Sequence, residues 1–330
     1  MNLTYTVLWI ENDKDFIESF DSEELTEFVE GEGFDLKLVY RTTPEEIRQK
    51  VDGTQYDLLI IDYNIADGDG ENGDLHGSDV IKQIRDQNCL TEVIFYSASG
   101  VPKLRQAAFD SGLEGVFYSG RPTEQLLRKI KDVFNLTVRK VVDVENMRGI
   151  VMAGVADLDH LVTDVIRAVH DSLEAGKQVE LCQRLLVKMR PVVKGLKALV
   201  KEQDHAHFGE IEKLIDVIVQ LDPVDFETLV KARSFDSHKR VEMAISLCKD
   251  HEHLEEHKDE ISSIKDLLLW RNALAHQRPK TLEKGYPVFE PREGNEEAFN
   301  EERTRLLRQQ LRSQRSALMG MLAKLGKGRS

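Results

Sequence analysis

Cysteine is scarce in this chain: Cys89, Cys182 and Cys248 are the only three, widely spaced and odd in number. That excludes a small disulfide scaffold and fits a reducing cytoplasm, where buried cysteines serve as small hydrophobes. No run approaches the roughly 18 apolar residues that a spanning helix needs, so no membrane segment is expected. The opening MNLTYTVLWIEND lacks a basic stretch followed by an apolar one and small cleavage residues. No secretory signal is read there, and the expected location is cytoplasmic. Internal repeats and low-complexity tracts are missing too, which leaves ordinary folded domains.

What is present is a globular composition, 41% hydrophobic and 32% charged, over 330 residues. That length accommodates two domains, each with its own core. The net charge of −14 is unevenly held. Residues 1–136 carry 13 Lys+Arg against 27 Asp+Glu, whereas the remainder balances at 32 of each. A polyanion would be repelled by the first part and tolerated by the second. Strong nonspecific nucleic-acid binding is not expected of either.

The first part alternates two patterns. Tyr5–Ile10, Phe34–Tyr40, Asp57–Ile61, Glu92–Tyr96 and Gly115–Tyr118 are short, nearly continuous apolar runs, as in strands buried on both faces. Amphipathic segments at about 14–29, 44–52, 77–87, 101–111 and 123–134 lie between them. The expected fold is an α/β doubly wound, five-stranded parallel sheet over 1–136. From about Leu136 the strand pattern stops. Helices are expected at 140–175, 178–203, 207–220, 223–232, 237–250, 255–276 and 297–325, forming an all-α domain over 137–330. Arg278–Gly294, containing GYPVF, reads as a hairpin or an ordered loop between the last two helices.

In open sheets of this kind ligands bind beyond the carboxyl ends of the strands. Those ends deliver Glu11, Asn12 and Asp13 after the first strand, Asp62 after the third and Ser97 after the fourth. Carboxylates gathered there suit a hard cation, and a metal-flanked carboxylate can attack phosphorus to give an acyl phosphate. This order resembles the receiver domains of two-component response regulators. The resemblance implies Asp62 as phosphoacceptor, with Mg²⁺ held by Glu11, Asn12, Asp62 and the Asn64 carbonyl. It also implies Ser97 as the hydroxyl that closes on the phosphoryl group, and a sensor histidine kinase as partner. Asn12 stands where the family has a second acid, and Asp13 is expected to face elsewhere. The family's lysine has no plain counterpart: gapless spacing lands on Ser119, and Arg121, before Pro122, fits if that loop is two residues longer. The loop after Asp62 is also longer than usual. A pseudo-receiver that only docks partners is the alternative reading.

In the second part, IKDLLLWRNALAHQRPK places Arg271, Asn272 and His276 at the end of an apolar helix. Histidine titrates near neutrality and can serve as base and acid when a ribose 2′-OH attacks its own phosphate. An arginine fork binds two oxygens of the dianionic phosphorane, and an Asn amide orients phosphate or ring. The RNxxxH run, and VENMRGIVMAGVADLDHLVTDVIRAV before it, resemble HEPN domains, a helical family with many metal-independent ribonucleases. The resemblance implies catalytic Arg271, Asn272 and His276, RNA as substrate and no cofactor in this domain. It also implies stress or phage-defence circuits as the setting. On one helix Arg271 and His276 diverge by roughly 140°, so a homodimer through the helical domain is expected to complete the site. Arg278 stands where some members carry a Tyr.

Competing motifs read more blandly. His253, Glu256 and His257 match HxxEH, yet lie in a charged run with no distant third zinc ligand. Asp67, Asp69, Glu71 and Asp74 fail the calcium-loop spacing, since Asn72 and Ser78 fall where Gly and Glu are needed. His205 and His207 read as interhelical turn residues. Arg303, Arg305, Arg308, Arg312 and Arg315 spread around the last helix as a solvated face. No recognition-helix pattern appears, so specific DNA binding is not expected. The sequence thus leaves two functions: a receiver-controlled endoribonuclease, or a dimeric adaptor that binds protein or RNA without cutting.

Overall fold

Five parallel strands form the sheet at the front of the chain: β1 (Thr4–Ile10), β2 (Asp35–Arg41), β3 (Leu58–Asp62), β6 (Glu92–Ser97) and β7 (Val116–Gly120). Their spatial order is β2-β1-β3-β6-β7. The computed structural model describes residues 3–66, 75–141, 144–189, 209, 213–214, 216–217, 225–281 and 286–327. The acidic loop Asp67–Asp74, His205, His207 and much of the helices expected at 178–203 and 207–220 lie outside the described residues.

Side chains alternate along each strand, so the sheet buries two separate clusters. Val7, Trp9, Leu58, Ile60, Ile94 and Tyr96 form one. It is covered by Leu25 and Val29 of α2 (Ser22–Gly31) and by Leu126, Ile130 and Phe134 of α6 (Thr123–Val141). Leu8, Ile10, Leu59, Ile61, Val93 and Phe95 form the other. Its cover is Ile47 of α3 (Pro44–Ile47), Val80, Ile81 and Ile84 of α4 (Gly77–Arg85), and Leu104 of α5 (Val101–Asp110). Burial on both faces is why β3 reads as an unbroken apolar run.

The segment expected as one helix over 14–29 is two, α1 (Lys14–Ser19) and α2, because two aspartates cap. Asp13 accepts from Phe16 N–H at 3.1 Å and Asp21 from Glu24 N–H at 2.8 Å. β7 runs two residues past the expected Tyr118, and α6 continues through residue 136 to Val141. A short ladder of β4 (Asn64–Ala66) and β5 (Leu75–His76) follows β3.

Contacts divide the chain into two units, Asn2–Met147 with Thr304–Gln309, and Arg148–Arg303 with Gln310–Ser330. In the first, Arg308 corrects the reading of a solvated arginine face, since it is fully buried. Its Nε donates to the Glu32 carbonyl at 3.0 Å and its guanidinium stacks 5.0 Å from the Phe34 ring centroid.

Helices dominate the second unit: α7 (Val144–Ser172) from Arg148 on, α8 (Ala175–Met189), α9 (Phe226–Lys231), α10 (Ser237–Asp250), α11 (Lys258–His276) and α12 (Glu301–Lys327) outside Thr304–Gln309. On α7, Val151, Val155, Leu158, Val162, Val165 and Val169 are buried at steps of three and four. The doubly wound sheet followed by a helical unit is the fold class that the sequence implies. The unit also holds a small antiparallel sheet of β8 (Lys280–Thr281), β9 (Pro287–Arg292) and β10 (Asn295–Ala298). Phe289 on β9 anchors it against Trp270 of α11 and Phe299. No helix among the described residues is long and apolar enough to cross a membrane.

Candidate functional site

The strand order reverses direction at β1: the chain moves outward to β2, then back across to β3. The crevice at such a switch point opens at the carboxyl ends of β1 and β3. Glu11 follows β1 there and Asp62 ends β3, both buried. Ser97 ends β6, and Arg121 follows β7.

Each group is held. Glu11 Oε2 accepts the Tyr96 hydroxyl at 2.7 Å, and Tyr96 in turn accepts Trp9 Nε1–H at 2.8 Å. Asp13 N–H donates to Glu11 Oε1 at 2.9 Å, and Asn64 N–H to Asp62 Oδ2 at 2.9 Å. Ser97 Oγ, buried, accepts from Ser99 N–H at 3.1 Å. Gly77 opens α4 directly against Asp62. A Cβ there would lie 2.1 Å from the Asp62 carbonyl oxygen, so only glycine fits.

Arg121 Nη2 lies 2.7 Å from Asp13 Oδ2 and 3.4 Å from Glu11 Oε2, with the guanidinium 4.4 Å from the Phe16 ring. Arg121 thus meets the acids because β7 is longer, with Ser119 inside the strand giving its hydroxyl to the Gly120 carbonyl. Asp13, expected to face elsewhere, shares that guanidinium. Asn12 is exposed.

Burial, and the Glu11 charge beside it, push Asp62 up to about 7. Arg121 brings one positive charge to three carboxylates, so the crevice retains a negative surplus. The two buried carboxylates are oxygen donors, which suit Mg²⁺, and the family pattern would add the Asn64 carbonyl. The fit rests on Glu11 and Asp62, since Asp13 is committed to its cap and to Arg121.

In the second unit, Arg271 and Asn272 line one open cleft of about 760 Å³. Arg233, His238, Arg240 and Lys265 line it too, with Asp236 as the one acid and Phe235, Leu268 and Leu269 as apolar wall. Lys265, Leu268, Leu269 and Asn272 fall at helical steps of three and four, so one stripe of α11 forms the wall. His276 is four residues beyond Asn272, at the exposed end of that stripe, but is not part of the lining. The Arg271 Nε is buried and has no hydrogen-bond partner among the described residues. Gln277, next to His276, clamps the helix end: its side chain bonds both ways to the Glu290 backbone, at 2.7 and 2.8 Å. Sequence spacing gives no sign of Tyr96, Arg233 or Lys265.

Of the competing motifs, His253, Glu256 and His257 fall in a 3₁₀ segment where Glu256 pairs with Lys324 and His257. Among the described residues no cluster of three His, Cys, Asp or Glu side chains is arranged to hold a metal. The three cysteines are free and buried.

No protein-family model matches the chain, and no curated protein matches it. Among solved structures, the chain is similar to a CheY-like response regulator receiver domain protein from Methanospirillum hungatei JF-1. That alignment has 15% identity and a TM-score of 0.29, over 42% of this chain and 98% of the other. The receiver domain of Francisella response regulator 1452 aligns at 18% identity and 0.29, over 41% and 98%. A two-component response regulator from Clostridium difficile aligns at 20% and 0.30, over 42% and 99%.

Proposed function

We propose that the chain is a two-component-type signalling protein in which a receiver controls a metal-independent endoribonuclease. One observation carries the effector reading: Arg271 and Asn272 share an open cationic cleft, on a helix stripe that ends at exposed His276. An adaptor has no need of an exposed imidazole one turn beyond a cleft whose Arg271 guanidinium has no ion-pair partner among the described residues.

In the receiver, Asp62 attacks the phosphorus of a sensor histidine kinase's phosphohistidine. The P–N bond breaks, the imidazole leaves, and an acyl phosphate forms. Mg²⁺, when bound by Glu11, Asp62 and the Asn64 carbonyl, supplies neutralisation of phosphoryl charge. Arg121 adds a fixed cation at the rim, and the Ser97 hydroxyl turns from its loop contact to the new oxygens. Asn12, a ligand position in the family pattern, contributes no charge.

In the effector, His276 takes the proton of a ribose 2′-OH, whose oxygen attacks the adjacent phosphorus. Arg271 binds the dianionic phosphorane and Asn272 orients it. The P–O5′ bond then breaks, the 5′ oxygen takes the proton held on the His276 imidazolium, and a 2′,3′-cyclic phosphate remains. Because Arg271 and His276 diverge around α11, a second copy completes each site in a homodimer.

The test compares RNA cleavage by the purified chain and by His276→Ala, with and without a small acyl-phosphate donor. Cleavage in either state that His276→Ala abolishes supports the reading. Equal behaviour of both proteins in both states contradicts it, and RNA binding without cleavage would favour the adaptor.

A further inference from the structure

Charge around the cleft is not balanced. Asp236, its one acid, is bound to Lys239 at 2.8 Å, and Arg240 is paired with Asp159. Glu242 is not part of the lining and is shared three ways: Lys188 at 3.6 Å, Lys265 at 3.5 Å and His238 at 3.5 Å. A single carboxylate facing two lysines leaves positive charge in excess without counting His238. Arg233 and Arg271 have no ion-pair partner among the described residues.

The turn that carries Arg233 is tied down at several points. Phe235 anchors its centre, fully buried with the Arg240 guanidinium stacked 5.9 Å from its ring. Lys239 Nζ ties the turn down, donating to the Ser234 carbonyl at 2.7 Å. Asp236 caps α10 by accepting Lys239 N–H at 3.1 Å. Arg233, exposed on this fixed turn, therefore lines the same cleft as Lys265 of α11. Along α11, Lys265 precedes Asn272 by seven residues, about 10 Å, and His276 lies about 6 Å further on.

We infer that Arg233 and Lys265 form a phosphate-binding subsite that holds the RNA strand beside the phosphate seated at Arg271. This rests on the ribonuclease reading. A strand with one phosphate at Arg271 continues along the cleft, and its neighbouring phosphate meets these two cations. Lys265 is free to swing, since its pair with Glu242 is long and partly exposed, the kind worth little. Leu268 and Leu269 between Lys265 and Asn272 offer apolar contact to a base.

The experiment uses the full chain carrying His276→Ala, so that RNA stays intact, and titrates a fluorescent single-stranded oligoribonucleotide across a range of salt. Arg233→Gln and Lys265→Gln, added singly, are expected to weaken binding several-fold and to flatten the slope of log K against log salt by about 0.7 per lost contact. Thermal melts confirm that the variants fold. Unchanged affinity and slope overturn the subsite. So does a pattern in which Arg233→Gln abolishes binding of an acidic peptide and leaves RNA binding intact. The two readings fail separately. In chains with His276 restored, absence of cleavage alongside a flattened slope sinks the ribonuclease and keeps the subsite. Cleavage with no effect of either substitution on KM does the reverse.

Discussion

The hydroxyl of Tyr96 donates to Glu11 Oε2 at 2.7 Å, joining residues 85 positions apart at the ends of two strands. Trp9 Nε1–H donates to the same hydroxyl at 2.8 Å, so a buried three-residue chain aims the Glu11 carboxylate into the crevice. Tyr96 immediately precedes Ser97, so one strand carries both the hydroxyl that holds Glu11 and the proposed switch hydroxyl.

Removing that hydroxyl strands the buried Trp9 Nε1–H and leaves Glu11 Oε2 with only the 3.4 Å contact to Arg121. Tyr96→Phe is expected to destabilise the first unit by about 1–3 kcal/mol. Mg²⁺ affinity is expected to fall roughly tenfold, as for loss of an outer-shell partner. Thermal melts and a Mg²⁺ titration measure the two effects. A destabilised variant with unchanged affinity would reduce Tyr96 to a packing residue.

The raised Asp62 carboxyl ties stability to pH. The folded chain binds this proton more tightly than the unfolded chain, whose carboxyl keeps the ordinary value of 3.8. Its contribution is therefore most favourable below that value and is lost as pH climbs through about 7, by at most roughly 4 kcal/mol. Asp62→Asn should raise the melting temperature at pH 8 in chelator and have little effect at pH 4. Saturating Mg²⁺ should narrow the gap at pH 8. A variant less stable than the parent at pH 8 would contradict the burial argument.

Gly77 leaves no room for a side chain against the Asp62 carbonyl. Gly77→Ala must shift either the start of α4 or the end of β3, at a cost of about 1–3 kcal/mol. Chemical denaturation reads the loss, and phosphorylation of Asp62 should slow as well. A neutral substitution would show that this contact relaxes freely.

Gln277 holds the end of α11 to β9 through two hydrogen bonds. Gln277→Ala should lower the rate of RNA cleavage more than it raises KM, because His276 loses its support while the cleft stays intact. If only KM moves, Gln277 does not position the imidazole.

The sheet was legible because strands buried on both faces read as continuous apolar runs, and the strand-end rule led directly to Glu11, Asp62 and Ser97. The break between α1 and α2 was missed because the apolar spacing continues across Phe20, although Asp21 followed by Ser-Glu-Glu is a capping signal. Arg121 was ambiguous because the length of β7 depends on its pairing with β6, where Gly120 meets Ser97. Tyr96 was invisible as a partner for Glu11, since nothing local links strand ends so far apart in sequence. The same holds for the cleft. Arg233 and Lys265 come together only when the turn before α10 packs beside α11, and no spacing encodes that.

Mass analysis of RNA ends, made in chelator with the parent chain and His276→Ala, is the most direct measurement. New ends carrying a 2′,3′-cyclic phosphate, produced by the parent and not by the variant, are the expected result. Ends bearing a 3′-hydroxyl and 5′-phosphate, or the same products from both proteins, would contradict transesterification by His276.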